Sequence, residues 1–149
     1  MKALILALTL ALLTGCASVK QSSQTAVAAD VATTVAGVGS GLAAEANPLI
    51  TSPATLLLSA GIRLYVINEI DKQAEPQRTE SLSVFNSITW GIAASNLAVI
   101  ALASNPVGLV AGLIAGVSVW NSTEDKRLFA QSCAYMRQTD PTIKCVFKS

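Results

Sequence analysis

Few residue types in this 149-residue chain could carry chemistry, and none of their patterns predicts a catalytic site. The chain has three cysteines and no histidine. Without histidine neither a Ser-His-Asp nor a Cys-His arrangement can form, and a zinc site loses its commonest ligand. The lysines lie in polar flanks rather than beside a buried serine, and the run AGVGSG lacks the Lys-Ser/Thr of a phosphate loop. We therefore expect no enzymatic activity, no metal and no cofactor other than a covalent lipid.

The first cysteine, Cys16, closes a short apolar segment. Residues 1–13 carry one positive charge and then an apolar core, which is shorter than the roughly 20 residues that a membrane-spanning helix needs. This is the build of a secretory signal peptide. The segment ends in Leu-Thr-Gly-Cys, which resembles the lipobox of bacterial lipoproteins. The resemblance implies removal of residues 1–15 and attachment of lipid, including palmitate, to Cys16. An ordinary signal peptide or a first membrane helix with an incidental cysteine is the alternative.

The residue after the cysteine bears on the destination of such a lipoprotein. In that family an aspartate there favours retention in the inner membrane, so Ala17 implies the outer membrane, facing the periplasm. The turns EANPLITSP and ASNPVG contain no Lys or Arg, whereas inner-membrane proteins concentrate these residues on the cytoplasmic side. Both observations favour the outer over the inner membrane.

Composition limits the partners. Only 13% of residues are charged and 52% are hydrophobic, which is typical of membrane rather than soluble domains. Ten basic and nine acidic residues without a basic cluster argue against nucleic acid. The expected partners are membrane lipid and further copies of this chain, with an envelope protein as a further candidate.

Four apolar segments organise the rest of the chain into predicted helices. Asn47-Pro48 separates the two helices of the first pair and Asn105-Pro106 those of the second, since proline disfavours helix in the residue before it. The predicted fold is all-α, with two αα-hairpins that form a four-helix membrane-associated bundle. The expected ranges are a signal peptide at 1–15, a linker at 16–25, a bundle at 26–121 with hairpins 26–70 and 82–120, and a periplasmic C-terminal cap at 122–149. The charged segment 71–80 is expected to be solvated.

The cap contains the other two cysteines, Cys133 and Cys145. Four membrane crossings would return the C-terminus to the side of Cys16, where an oxidising periplasm would allow a disulfide. The predicted cap is a short helix to about residue 138, a turn at Asp140-Pro141 and a strand-like tail that the disulfide pins to the helix. A disulfide that closes a loop of this size stabilises the folded state by about 3 kcal/mol, because it reduces the entropy of the unfolded chain. Two free thiols are the alternative.

Glycines recur every four residues in the last apolar segment, at Gly108, Gly112 and Gly116. Small residues at this spacing share one helix face and allow helices in lipid to approach closely. The segment resembles the glycine-zipper hairpins of several small bacterial outer-membrane lipoproteins, whose helices pack into oligomers. The resemblance implies contact between copies through these glycines, and packing within the chain's own bundle is the alternative.

The predicted first hairpin contains Asp30, Glu45 and Arg63 as candidate polar residues within the membrane. The hairpin resembles an uncharacterised family of small bacterial membrane proteins in the pattern D-x-x-x-T, then G, then E-x-N-P-L, a family that implies no known activity. Asp30 and Glu45 either mark the membrane boundary or have a polar partner or function.

Arg63 lies about 15 Å along its predicted helix, near the centre of a full span. Folding the hairpin about Leu49 places it level with Ala36 and Gly37, where no acid is available. We therefore expect either a shallow helix with a snorkelling arginine or an arginine that faces a polar lumen.

Two non-enzymatic functions fit these features. The first is a lipid-anchored envelope protein with a structural or oligomeric pore-like role. The second is a phage- or plasmid-type exclusion or inhibitory lipoprotein that binds an envelope protein through its periplasmic tail.

Overall fold

The computed structural model describes residues 17–39, 52–102 and 105–145. These residues form helices and no strand, which confirms the all-α prediction. The helices are α1 (Val19–Gly39), α2 (Pro53–Asp71), α3 (Gln77–Leu102), α4 (Asn105–Ser122) and α5 (Glu124–Thr139). The predicted signal peptide, Cys16 and Glu45 lie outside the described residues.

Capping explains where the first two helices begin. Ser52 accepts a hydrogen bond from the Thr55 N–H (3.3 Å) and its own N–H donates to Thr55 Oγ1 (3.1 Å), directly before Pro53. Ser18 and Gln21 make the same reciprocal pair, at 3.2 and 3.1 Å. A pair of this kind satisfies two free N–H groups of a first helical turn. The segment 16–25, expected to be a linker, is therefore helical from Val19.

The helices form an open row around α3 rather than a closed four-helix bundle. Helix α3 packs against α1 on one side and against α4 on the other, and α2 lies mainly on α1 with a smaller contact to α3. Within the described ranges α4 contacts neither α1 nor α2. The four predicted helices are thus present, but α2 and α4 are edge helices with largely uncovered surfaces.

The described helices bury few large apolar side chains, and about half of the buried residues are polar or charged. Ile67 is the sole buried residue of α2, and Gly108 the sole buried residue of α4. Large apolar side chains of these two helices are exposed, among them Leu57, Leu58, Ile62, Leu109, Leu113, Ile114 and Val117. The buried set instead contains the polar residues Ser22, Ser23, Asp30, Ser83, Asn86 and Thr89.

One described helix, α3, is long and apolar enough to cross a membrane, and only 22% of its apolar window is buried. A core helix of a soluble protein that passes this test is mostly buried. Helices α4 and α5 pass it only as a pair, bent by 41°, which is either one broken span or a re-entrant loop. The described helices therefore offer up to two crossings by length and composition, fewer than the four expected, since Arg63 and Glu69 interrupt the apolar sequence of α2.

Candidate functional site

A seam of hydrogen-bonded polar side chains joins α1 to α3. Ser22 Oγ donates to Asn86 Oδ1 (3.1 Å) and accepts from Trp90 Nε1 (3.3 Å). Ser23 Oγ donates to the Val19 carbonyl at 2.9 Å and approaches the Leu82 carbonyl at 3.4 Å. These hydrogen bonds lie beside the apolar cluster of Val19, Val27, Ile67 and Leu82.

The seam ends in a centre where three helices meet, formed by Asp30, Arg63, Asn96 and Thr34 and called here the Asp30 centre. Asp30 of α1 is buried, with 4% of its surface exposed. Its Oδ2 pairs with the Arg63 guanidinium of α2, and its Oδ1 accepts from Asn96 Nδ2 of α3 at 3.0 Å. Asn96 Nδ2 also lies 3.2 Å from Thr34 Oγ1. Both carboxylate oxygens of Asp30 are thus engaged.

The partner of Arg63 corrects the expectation that no acid is available to it. Asp30 lies six residues before Ala36, with which Arg63 was expected to be level. A second ion pair, between Lys20 Nζ and Asp71 Oδ2 at 2.8 Å, fixes the same register at the other end of α1 and α2. The hairpin is therefore not folded symmetrically about Leu49.

The three glycines of α4 pack on α3 of the same chain. A Cβ added to Gly112 would lie 2.8 Å from the Gly91 carbonyl oxygen, and one added to Gly116 would lie 3.1 Å from that of Ser87. A Cβ on Gly108 would lie 3.0 Å from the Ser95 carbonyl oxygen. Gly108, Gly112 and Gly116 therefore contact a helix of their own chain, which is the alternative to contact between copies.

The surface that receives these glycines was not predicted from the sequence. Ser87, Gly91 and Ser95 of α3 are also four residues apart, so they form a second stripe of small residues opposite the first. The repeated spacing on both helices was a readable signal. The close approach leaves the larger side chains of α4 outside the interface.

The C-terminal cap rests on the ends of α1 and α3. The predicted disulfide between Cys133 and Cys145 is present, with a Cα–Cα distance of 5.9 Å. Lys126 Nζ donates to the Ala17 carbonyl (2.9 Å), and Gln131 Nε2 donates to Glu80 Oε1 (2.6 Å). These contacts hold α5 across the end of the helical row, next to the residue that follows Cys16.

Charged and aromatic groups complete the cap. Arg127 stacks on Trp120, with its guanidinium carbon 3.3 Å from the ring centroid. After α5 the chain turns at Asp140-Pro141 as predicted, but residues 143–145 have irregular backbone rather than strand. Hydrogen bonds from the Thr142 hydroxyl (2.7 Å) and N–H (3.0 Å) lower the pKa of the exposed Asp140 carboxyl.

The Asp30 centre has the properties of a clamp between helices rather than of a reactive site. Its carboxylate is charge-paired, and its amide and hydroxyl groups already bond to one another. In the part of the chain that the structure describes, no three His, Cys, Asp or Glu side chains could together hold a metal ion. Comparison of the chain with protein-family models, curated proteins and solved structures finds no match.

Proposed function

We propose that this chain is a lipid-anchored, membrane-embedded protein of the bacterial envelope with a structural rather than catalytic role. The observation that carries the proposal is the pattern of burial: α2 and α4 turn Leu, Ile and Val outward, while Ser22 pairs with Asn86 and Asp30 with Asn96 and Arg63 inside. In lipid an apolar exterior needs no protein cover, and polar groups must be satisfied internally. In water an apolar surface of this extent is unusual for a monomer.

The position of Ala17 supports the lipid anchor. Ala17 lies beside the cap through its bond to Lys126, at the end of the row where Asp71, Lys72 and Arg78 gather. A lipid on Cys16 would leave the chain at this charged end, which would stay in the aqueous phase. The outer membrane is the proposed address, with the cap in the periplasm, because of Ala17 and the uncharged turns.

A structural role is favoured over a pore. A pore lined by Arg63 would require its guanidinium to face a lumen, yet it pairs with Asp30 of the same chain. Gly112 is likewise engaged with Gly91 in the same chain. Homo-oligomers would therefore form through the exposed apolar faces of α2 and α4 rather than through the glycines.

Membrane fractionation tests the proposal. We expect the wild type to take up labelled palmitate, to sediment with the outer membrane on a density gradient and to resist extraction by alkaline carbonate. Cys16→Ala should lose the label and leave the outer-membrane fraction, because both follow from the lipid. The paired variant Cys133→Ala/Cys145→Ala is the control, since it removes the disulfide and leaves Cys16 in place.

The outcomes separate the parts of the proposal. Carbonate extraction of the labelled wild type would mean that the chain is tethered but not embedded, and would contradict it. Recovery of the wild type in the inner membrane would overturn the address alone. A wild type without label would overturn the anchor.

The second candidate function is the exclusion or inhibitory lipoprotein, and the outer face of α5 favours it. Leu128, Tyr135 and Met136 are exposed there, Tyr135 by 71%, on a helix that the disulfide and Lys126 hold in place.

A photo-crosslinking residue at Tyr135 should capture one discrete envelope protein if the cap is an inhibitory surface. The same residue at Leu113 on α4 is the control, since it is expected to face lipid or another copy of this chain and not an envelope protein. Equal capture at both positions, or none at Tyr135, would contradict this candidate.

A further inference from the structure

A cavity of 380 Å³ lies where the start of α1, the turn between α2 and α3, and α5 meet. Charged side chains dominate its polar lining: Lys20, Asp71, Glu75, Arg78 and Lys126. Three are cations and two are carboxylates, so the lining has an excess of positive charge. Residues from three separate parts of the chain build it, which distinguishes it from a surface groove along one helix.

The two carboxylates are already engaged by the other cations. Asp71 pairs with Lys20 at 2.8 Å and lies 3.9 Å from Arg78. Glu75 pairs with Arg78 at 2.5 Å, and its oxygens accept from the hydroxyl (2.9 Å) and N–H (3.2 Å) of Thr79. Neither carboxylate is left to neutralise a further cation.

Lys126 is the cation whose charge is not neutralised. Its hydrogen-bond partner is the neutral Ala17 carbonyl, and within the described ranges it has no carboxylate partner. An ammonium group has three donors, so two remain beside a half-enclosed space. An ammonium in this position attracts an anion, and a phosphate oxygen is a strong acceptor for it.

We propose that this cavity binds a phosphate group, and that in the cell the phosphate belongs to a phospholipid headgroup. Lys126 would bind the phosphate, whose negative charge offsets the excess of positive charge in the lining. Val19, Leu82 and Phe129, which also line the cavity, would contact the glycerol end of the lipid. The headgroup assignment rests on the proposed function, which places this end of the row at the membrane surface.

Binding to the purified full chain in a neutral, phosphate-free detergent tests the site. The probes are dihexanoyl phosphatidylethanolamine and inorganic phosphate, each titrated while the thermal midpoint is followed. We expect the lipid to bind the wild type and to bind Lys126→Gln about tenfold more weakly, because one charge-assisted hydrogen bond is replaced by a neutral one. Lys72→Gln is the matched control. Lys72 pairs with Glu69 at 2.6 Å and does not line the cavity, so its loss should leave lipid affinity unchanged.

Each result tests the binding site independently of whether the chain is embedded in a membrane. Binding of inorganic phosphate without binding of the lipid would retain the phosphate site and overturn the headgroup assignment. Equal lipid affinity in Lys126→Gln and the wild type would overturn the site. If Lys126→Gln does not fold, competition between inorganic phosphate and the lipid for the wild type tests the site. Failure of inorganic phosphate to displace the lipid would then overturn the site. Because the lipid probe is soluble, binding can fail while the chain still resists carbonate extraction, so this failure is distinct from failure of the proposed function.

Discussion

Replacing Asp30 with alanine is expected to destabilise the chain by about 3 kcal/mol, because it leaves the Arg63 guanidinium next to a low-dielectric interior without its counter-charge. It also removes Asp30 Oδ1, the atom that accepts a hydrogen bond from Asn96 Nδ2. The free energy of unfolding, measured by chemical denaturation in a neutral detergent and followed by circular dichroism, reports the loss. Helix α2 should separate first, since Ile67 is its sole buried residue.

Two control variants establish whether charge is the cause. Glu69→Ala removes one member of an exposed pair on α2, and we expect it to change the unfolding free energy by about 0.5 kcal/mol or less. The double variant Asp30→Leu/Arg63→Met replaces the ion pair by apolar side chains, and should recover most of the loss. A double variant as unstable as Asp30→Ala would instead show that Asp30 stabilises the fold through its hydrogen bonds and not through its charge. A loss for Asp30→Ala no larger than that for Glu69→Ala would contradict the clamp altogether.

The Asp30 centre shows which features of this chain can be read from its sequence. The helix positions could be predicted because Pro53 and Pro106 mark helix starts and apolar segments mark their lengths. The start of α1 was missed, although Ser18 and Gln21 have the spacing of a capping box. The helical content of this fold is therefore local information, available from propensity and capping.

The register between helices could not be derived in the same way. A sequence gives the position of Arg63 along α2 but not how far α2 slides along α1, and that offset decides whether an acid is within reach. One signal was available: Ser83, Asn86, Thr89 and Asn96 of α3 recur at helical spacing, which predicts a polar face. Without a register this face could not be matched to Ser22 and Asp30 of α1.

The open row has a related physical cause. Helix α4 uses its glycine face entirely on α3, so its remaining faces contain large apolar side chains that no other described helix covers. A closed bundle would require α4 to present a second contact face to α1 or α2. The glycine spacing predicts a close helical contact correctly, but it does not identify the partner helix, which is why contact between copies was also expected.

The second large effect is expected at this glycine interface. In Gly112→Ala the new Cβ would lie 2.8 Å from the Gly91 carbonyl oxygen and 3.0 Å from Ser95 Cβ. Neither atom belongs to a flexible side-chain end that could move aside, so α3 and α4 must separate. We expect the free energy of unfolding to fall by about 2 kcal/mol, although alanine favours the helix over glycine by up to about 1 kcal/mol.

Gly61→Ala is the matched control, because a Cβ added at Gly61 in α2 meets nothing within 4 Å. It should leave the unfolding free energy unchanged or raise it by up to about 1 kcal/mol. Opposite signs for the two variants in the same detergent would establish that close packing, not the loss of a glycine, causes the effect at Gly112. If Gly112→Ala instead dispersed an oligomer and left the unfolding of the single chain unchanged, the glycines would contact another copy, as the glycine-zipper resemblance implies, and the packing of α4 on α3 would be wrong.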